Sequence, residues 1–256
     1  MDEFAEAHAK AMVVRDWLGA GIPSAGVGCA IARDRLAILD TRSERRGPFD
    51  ADSLTEDYEL GLRVAEAGAK VAFLRVRGSD GRLVATRAFF PRRLETAVRQ
   101  KTRWVCGIAL QGWDRMGWSG GIIDGWMRLR DRRGPMAALV LFAAYLLLIL
   151  SAVLLVAQHL GLARSLALTP LIGTLLVTNA VSLVWRSAFR GIFTAREYGA
   201  EEGVRAVLRI PLSNFIAILA GRRAVVQYVA SLRGAIVTWD KTEHRGHPSL
   251  VPGTSA

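Results

Sequence analysis

The chain has 256 residues, 51% of them hydrophobic, with a formal charge of +11 and a pI near 10.7. That length allows one or two domains, and a mean hydropathy of +0.24 is high for a chain that lives only in water. The charge suggests nucleic acid, an anionic membrane surface or phosphorylated substrates; nucleic acid is the poorest of the three, because the cations are mostly arginines beside apolar runs and no nucleic-acid-binding motif is present.

Residues 2–18 are expected as a helix, with Phe4, His8, Met12 and Trp17 at loose helical intervals and Gly19 and Gly21 ending it. The acidic start, Met1-Asp2-Glu3-Phe4, has no apolar h-region and does not read as a signal peptide. Residues 22–31 are small, with three glycines in or beside them, and residues 32–39 form a second short helix. After a polar loop at 42–48, Ser53 or Thr55 can cap a helix that runs to Gly68, with Glu56 completing a capping box on Ser53. Residues 69–77 alternate as a strand does, so helix, glycine turn and strand give an α/β pattern. A longer helix is expected over 92–114, with Pro91 at its start. Trp113, Trp118 and Trp126 then suit a membrane interface.

Residues 137–157 and 165–185 carry no charge. About 20 apolar residues cross the ~30 Å hydrocarbon core as a helix, so each run is a candidate span and the pair a hairpin. Arg128, Arg130, Arg132 and Arg133 precede the first run, and Arg186, Arg190 and Arg196 follow the second. The connection holds only Arg164. The positive-inside rule then puts both ends in the cytoplasm. Residues 204–232 mix apolar and basic positions, and their uncharged part is short. A helix lying in the cytoplasmic interface is expected there, with a third span as the other reading. Three regions follow: 1–126, a hairpin region 127–203, and 204–256 with an interfacial helix and a polar tail.

Two strings carry chemistry. Thr55-Glu56-Asp57 puts carboxylates at a helix start, where Asp57 can act as a general base and Glu56 can orient it or bind a partner. The same triplet is also what an acidic first turn stabilised by the helix dipole looks like. In Gln100-Lys101-Thr102-Arg103-Trp104, the residues Gln100, Arg103 and Trp104 share one helix face. Arg103 can fork onto phosphate oxygens, Trp104 can stack on a pyranose ring, and Gln100 can hydrogen-bond either ligand. An amphipathic helix with one buried tryptophan reads the same way. Cys29 and Cys106 stand in no metal-binding spacing and suit a reducing compartment. His244 and His247 lack further ligands, so no metal site is assigned.

The order of the two strings, their separation and the apolar run after them resemble the family 2 glycosyltransferases, the group that includes cellulose synthase. Residues 24–33, with Gly26 and Cys29, are similar to the small-residue segment that lies beside the acceptor in that family. Phe49-Asp50 followed by residues 53–63 is similar to its extended acidic motif. Trp239, Lys241 and Thr242 stand where the family places a gating loop over the nucleotide, though a polar juxtamembrane tail would look alike. The resemblance implies transfer from a UDP-sugar to a glycan acceptor with inversion, at the cytoplasmic face of a bacterial inner membrane, in a multi-pass protein with both termini cytoplasmic. It implies Asp57 as base, with Gln100 and Arg103 on diphosphate and Trp104 on the acceptor.

The resemblance also implies Mg²⁺, held by a D-x-D motif on a Rossmann-like half that precedes these strings in the family. By that resemblance these 256 residues are expected to begin after that half. Asp50-Ala51-Asp52 spells D-x-D but sits too close to the acidic triplet to be the metal site. The fold class expected is therefore a partial α/β glycosyltransferase A-type domain, lacking its Rossmann-like half, followed by a transmembrane hairpin and an interfacial helix. Such a chain is expected to be inactive alone unless a partner chain supplies the missing half. The rival is a non-enzymatic membrane scaffold or receptor subunit for envelope or polysaccharide export.

Overall fold

The computed structural model describes residues 2–42, 49, 52–86, 91, 93–164 and 168–235. Helices dominate. Near the start, α1 (Asp2–Glu6) and α2 (Met12–Trp17) are joined by a π-turn, Ala7–Ala11. An extended loop leads to α3 (Arg33–Arg42), and α4 (Glu56–Glu66) follows. The helix expected over 92–114 is α5 (Leu94–Val105), a second π-turn (Cys106–Gln111) and α6 (Gly112–Met116) in one run. Then come α7 (Ile122–Arg132), α8 (Gly134–His159), α9 (Pro170–Tyr198), α10 (Ala200–Leu208) and α11 (Ile210–Leu232).

The α/β expectation is not met among the described residues. Residues 69–77 are extended and alternate as anticipated: 71, 73 and 75 are half-buried while 70, 72, 74 and 76 face out. Their only pairing is a tight hairpin, in which Arg77 bridges Leu83, Val84 N–H donates to Val76 and Gly78 N–H donates to Arg82. A strand needs a partner along its length to form a ladder, and no described segment pairs its backbone with this one beyond that hairpin. The capping box also fails to form. Thr55 occupies the N-cap position without a side-chain cap bond. The Ser53 hydroxyl donates instead to Glu59 Oε1 at 2.7 Å, a full turn into the helix.

Packing follows the apolar stripes. Tyr58 and Leu62 of α4 bury against Met116 and Ile108. Leu54, Cys106 and Ala224 form a second cluster with Val105, Leu110 and Tyr228 around it. α7 braces these layers with polar contacts. Asp131 accepts from Arg15 Nη1 and from the Tyr58 hydroxyl, each at 2.7 Å, and Asp124 accepts from Gly21 N–H at 2.9 Å. Burial and the Asp131 carboxylate push the Tyr58 phenol far above its ordinary pKa. Arg128 donates to the Met116 carbonyl at 2.9 Å and pairs with Glu66. Arg132 donates to Gly112 at 3.1 Å and lies over the Trp118 and Trp113 rings at 4.7 and 5.7 Å. Both of these arginines are buried, so two of the four cations counted before the first apolar run hold the fold together and are not exposed at the surface. Burial lowers the Arg132 pKa.

Among the described residues three helices are long and apolar enough to cross a membrane: α8, α9 and α11. The second begins at 170, five residues later than the sequence reading, because Pro170 takes the first turn and Thr169 caps it by accepting from Ile172 N–H at 3.4 Å. The third, expected as an interfacial helix, is a continuous rod of 23 residues. Pro211 sits in its first turn, where no helical N–H is lost, so it begins the helix rather than breaking it.

Candidate functional site

α4 is sandwiched. On one side the loop at 22–26 runs along it, and on the other lies the α5–α6 rod. The loop comes so close at Gly61 that a Cβ there would sit 2.2 Å from Ser24 N and 2.6 Å from the Ile22 carbonyl. One turn earlier, a Cβ on Gly26 would sit 2.7 Å from Asp57 Oδ2, and Gly26 has φ +71°, a conformation that side chains disfavour. Asp57 and Gly61, four apart, thus form the stripe of α4 that the small-residue loop covers. Two of the residues singled out in the sequence, Gly26 and Asp57, are neighbours.

Asp57 is half-buried, and its Oδ1 accepts from the Tyr58 N–H at 2.8 Å. Glu56 is half-buried beside it in the first turn, where the helix dipole favours both carboxylates. Below them Glu59 is 2% exposed. It accepts from Ser53 and, at 3.0 Å, from Arg63 Nη2, with Arg115 Nε 3.9 Å away. This buried, fully engaged carboxylate fixes the first turn of α4.

Thr55 meets the other motif. It is 4% exposed, and a Cβ on Gly107 would lie 2.6 Å from its Oγ1 and 2.7 Å from its Cγ2. Gly107 follows Arg103 and Trp104 by one turn on the same rod, so the acidic triplet abuts the helix that carries the pentad. Gln100 is buried; Arg103 and Trp104 are half-buried. Thr55 Oγ1, Arg103 Nε and Gln111 Oε1 are buried without hydrogen-bond partners among the described residues.

Other residues lie apart. The Trp104 ring packs edge-on against Phe4 of α1, with centroids 5.8 Å apart. Cys29 is exposed, its sulfur accepting from the Ser24 hydroxyl at 3.3 Å. A cleft of about 200 Å³ behind the loop is lined by Ser24, Cys29, Arg35, Gly61 and Lys70, and a larger apolar groove of about 660 Å³ lies between α9 and α10. Neither Asp57 nor Trp104 lines either one. Trp239, Lys241 and Thr242 lie outside the described residues, as do Asp50 and Ala51. Among the described residues no group of three or more His, Cys, Asp or Glu side chains converges to hold a metal, and no step below passes through one.

Sequence reasoning missed Gly61, Gly107 and the Ser53–Glu59 lock. The glycines carried a signal: each stands inside a helix, where glycine costs up to about 1 kcal/mol relative to alanine and so marks a close approach.

The family model described as Glycosyl transferase family group 2 matches residues 1–186. Two curated relatives from Escherichia coli align with the chain over 275 positions at 34% identity: Bacteriophage adsorption protein B of strain K12 and Bacteriophage N4 adsorption protein B of O157:H7. Each alignment takes in 99% of this chain and 37% of the relative, so the chain spans a little over a third of their length. No solved structure matches.

Proposed function

The chain belongs to the Glycosyl transferase family group 2, and from that premise we propose that it is the acceptor-side part of an inverting glycosyltransferase. In this reading it acts at the cytoplasmic face of a bacterial inner membrane, moving a sugar from a UDP-linked donor to a glycan or envelope acceptor. Asp57 takes the proton from the attacking acceptor hydroxyl. Arg103, with Gln100, holds the leaving diphosphate, and Trp104 supplies an apolar face for the acceptor ring. Gly26 lets the acceptor-side loop pass within contact distance of the base.

One observation carries the reading: Thr55 at the head of the acidic triplet abuts Gly107, one turn beyond Arg103 and Trp104. Two strings some four dozen positions apart in the chain are thereby joined, as a shared reaction centre requires. For Trp104 to stack on a sugar it must leave its edge contact with Phe4 or present its other face.

The chain alone is expected to turn over no donor. Purified in detergent and incubated with UDP-sugars and Mg²⁺, it should give no transfer; robust turnover would refute the need for a separate donor-binding half. Joined to the remainder of the E. coli relative outside the aligned segment, it should gain activity, and Asp57→Asn should abolish that activity at unchanged membrane levels.

The names of the two relatives speak of phage adsorption, which favours a second reading, a receptor or scaffold component in the envelope. Under that reading Asp57→Asn leaves adsorption and envelope polymer unchanged.

A further inference from the structure

By length and composition α11 qualifies as a third crossing, but its neighbours along the rod place it otherwise. Asn214 donates to the Tyr145 hydroxyl at 3.2 Å, and a Cβ on Gly221 would sit 2.4 Å from Ala138 Cβ. α11 therefore runs antiparallel to α8 and passes the first turns of α8 at residue 221. Beyond that point its partners change. Thr102 and Ala220 approach through a hydroxyl–carbonyl contact of 3.5 Å, Cys106 packs on Ala224, and the Tyr228 hydroxyl donates to Asp114 at 2.7 Å. The last third of α11 thus lies along the α5–α6 rod, level with the exposed rings of Trp113 and Trp118, which suit a headgroup layer.

Charge follows the same division. Residues 210–221 hold no ionisable side chain, Arg209 stands just before them and Arg222 and Arg223 just after. A helix rises about 1.5 Å per residue, so this stretch measures about 18 Å, well short of the ~30 Å hydrocarbon core. α10 supplies the other limb. It folds back along α9, where a Cβ on Gly203 would come within 2.7 Å of Ala195 Cβ and 2.8 Å of the Gly191 carbonyl. It leaves from the end of α9 at which Glu197 pairs with Arg75 and Arg77 of the extended segment. Both limbs open toward the part of the molecule that carries α4 and α5.

We propose that α10 and α11 form a re-entrant pair that dips into one leaflet from the side carrying the two motifs and returns to that side, its partner being the lipid of that leaflet. Val204, Leu208, Leu212 and Phe215 are exposed on it and continue the apolar surface of α8 and α9, so acyl chains cover them. Glu201, Glu202 and Arg205 pair among themselves at the mouth of the pair, where headgroups and water meet them, and Arg209, at the turn between the two limbs, reaches back to Glu202 Oε2 at 3.2 Å. The helix bearing the pentad is seated on the emerging limb, so the bilayer fixes its height.

Sidedness tests this without any assay of transfer. In a Cys29→Ser background, with Cys106 buried, single cysteines are placed at exposed positions of the full chain: Lys70→Cys on the motif side, Leu162→Cys in the α8–α9 connection, and Arg233→Cys and Ala235→Cys just past α11. Membranes of either orientation are treated with a membrane-impermeant maleimide. Positions 233 and 235 should label together with 70 and lose labelling whenever 162 gains it. If 233 and 235 label with 162, α11 is a third crossing and the proposal is overturned. Two positions guard against one being occluded, and full labelling after detergent solubilisation shows that each thiol is reactive.

Discussion

The Gly107 backbone leaves room for the Thr55 hydroxyl and methyl and for nothing more: a Cβ would stand 2.6 Å from Oγ1 and 2.7 Å from Cγ2. Gly107→Ala should therefore push the head of α4 off the rod and lower stability by about 1–3 kcal/mol, as overpacking does. Thr55→Val should act in the opposite direction. The buried hydroxyl has no hydrogen-bond partner among the described residues, so an apolar group of the same shape removes a desolvation penalty and leaves Tm unchanged or raises it. Thermal unfolding in detergent distinguishes the two variants; a fall in Tm for Thr55→Val would mean that the hydroxyl is satisfied after all.

Gly61 and Gly68 stand in or beside the same helix and should respond differently to alanine. At Gly61 the new methyl meets backbone atoms, Ser24 N at 2.2 Å among them. Backbone cannot swing aside, and Gly61→Ala should cost at least about 3 kcal/mol, at the upper end of overpacking. At Gly68 nothing lies within 4 Å, but φ is +84°, so Gly68→Ala should cost only the left-handed penalty of about 1–2 kcal/mol. Equal losses in a denaturant titration would contradict the close passage of the loop over α4.

The two thiols should be separable. Cys29 is exposed, whereas Cys106 is fully buried and its pKa is pushed up by that burial to about 11. A thiol-specific chromogenic reagent should release one equivalent rapidly from the folded chain at neutral pH and two after denaturation. Two rapid equivalents in the native chain would mean that the cluster of Leu54, Cys106 and Ala224 opens.

His8 should make stability fall in mild acid. Burial first, and then the nearby Arg75, hold its pKa below the ordinary 6.5. Its ring sits 5.8 Å from Phe4 and 5.9 Å from Phe73. The unfolded chain takes up a proton at a higher pH than the folded one, so the contribution is intact above about pH 6.5, declines as pH falls below it, and levels off beneath the folded pKa. The Tm difference between pH 8 and pH 5.5 should shrink in His8→Leu. An identical pH dependence in that variant would place the titrating group elsewhere.

Much of the helical layout was legible because glycine, proline and charge punctuate it. Gly19 follows the first helical run, Gly68 closes the turn after α4, and Pro170 sets the start of α9. The strand at 69–77 was misjudged because alternation reports which face is covered, and both a ladder and a lone extended segment lying on helices satisfy it. Arg128 and Arg132 enter the positive-inside count with Arg130 and Arg133 because composition cannot separate a guanidinium that meets headgroups from one that meets Met116, Gly112 and two indoles. Of the site, the membership of Asp57 and Gly26 in one neighbourhood followed from the resemblance. The Thr55–Gly107 contact, which joins the strings, left only a glycine inside a helix as its trace.

The π-turn at Cys106–Gln111 has a consequence for chain length. Its wider i→i+5 bonding takes up one residue more than a regular turn. A single deletion inside those six positions should relax it to ordinary α-helix while Trp104 and Trp113 keep their facing. The same deletion in α5 would swing everything after it by about 100°, carrying Asp114 away from Tyr228 and both indoles away from Arg132. The rod thus contains one spare residue, and only there can it be shortened without turning its far end.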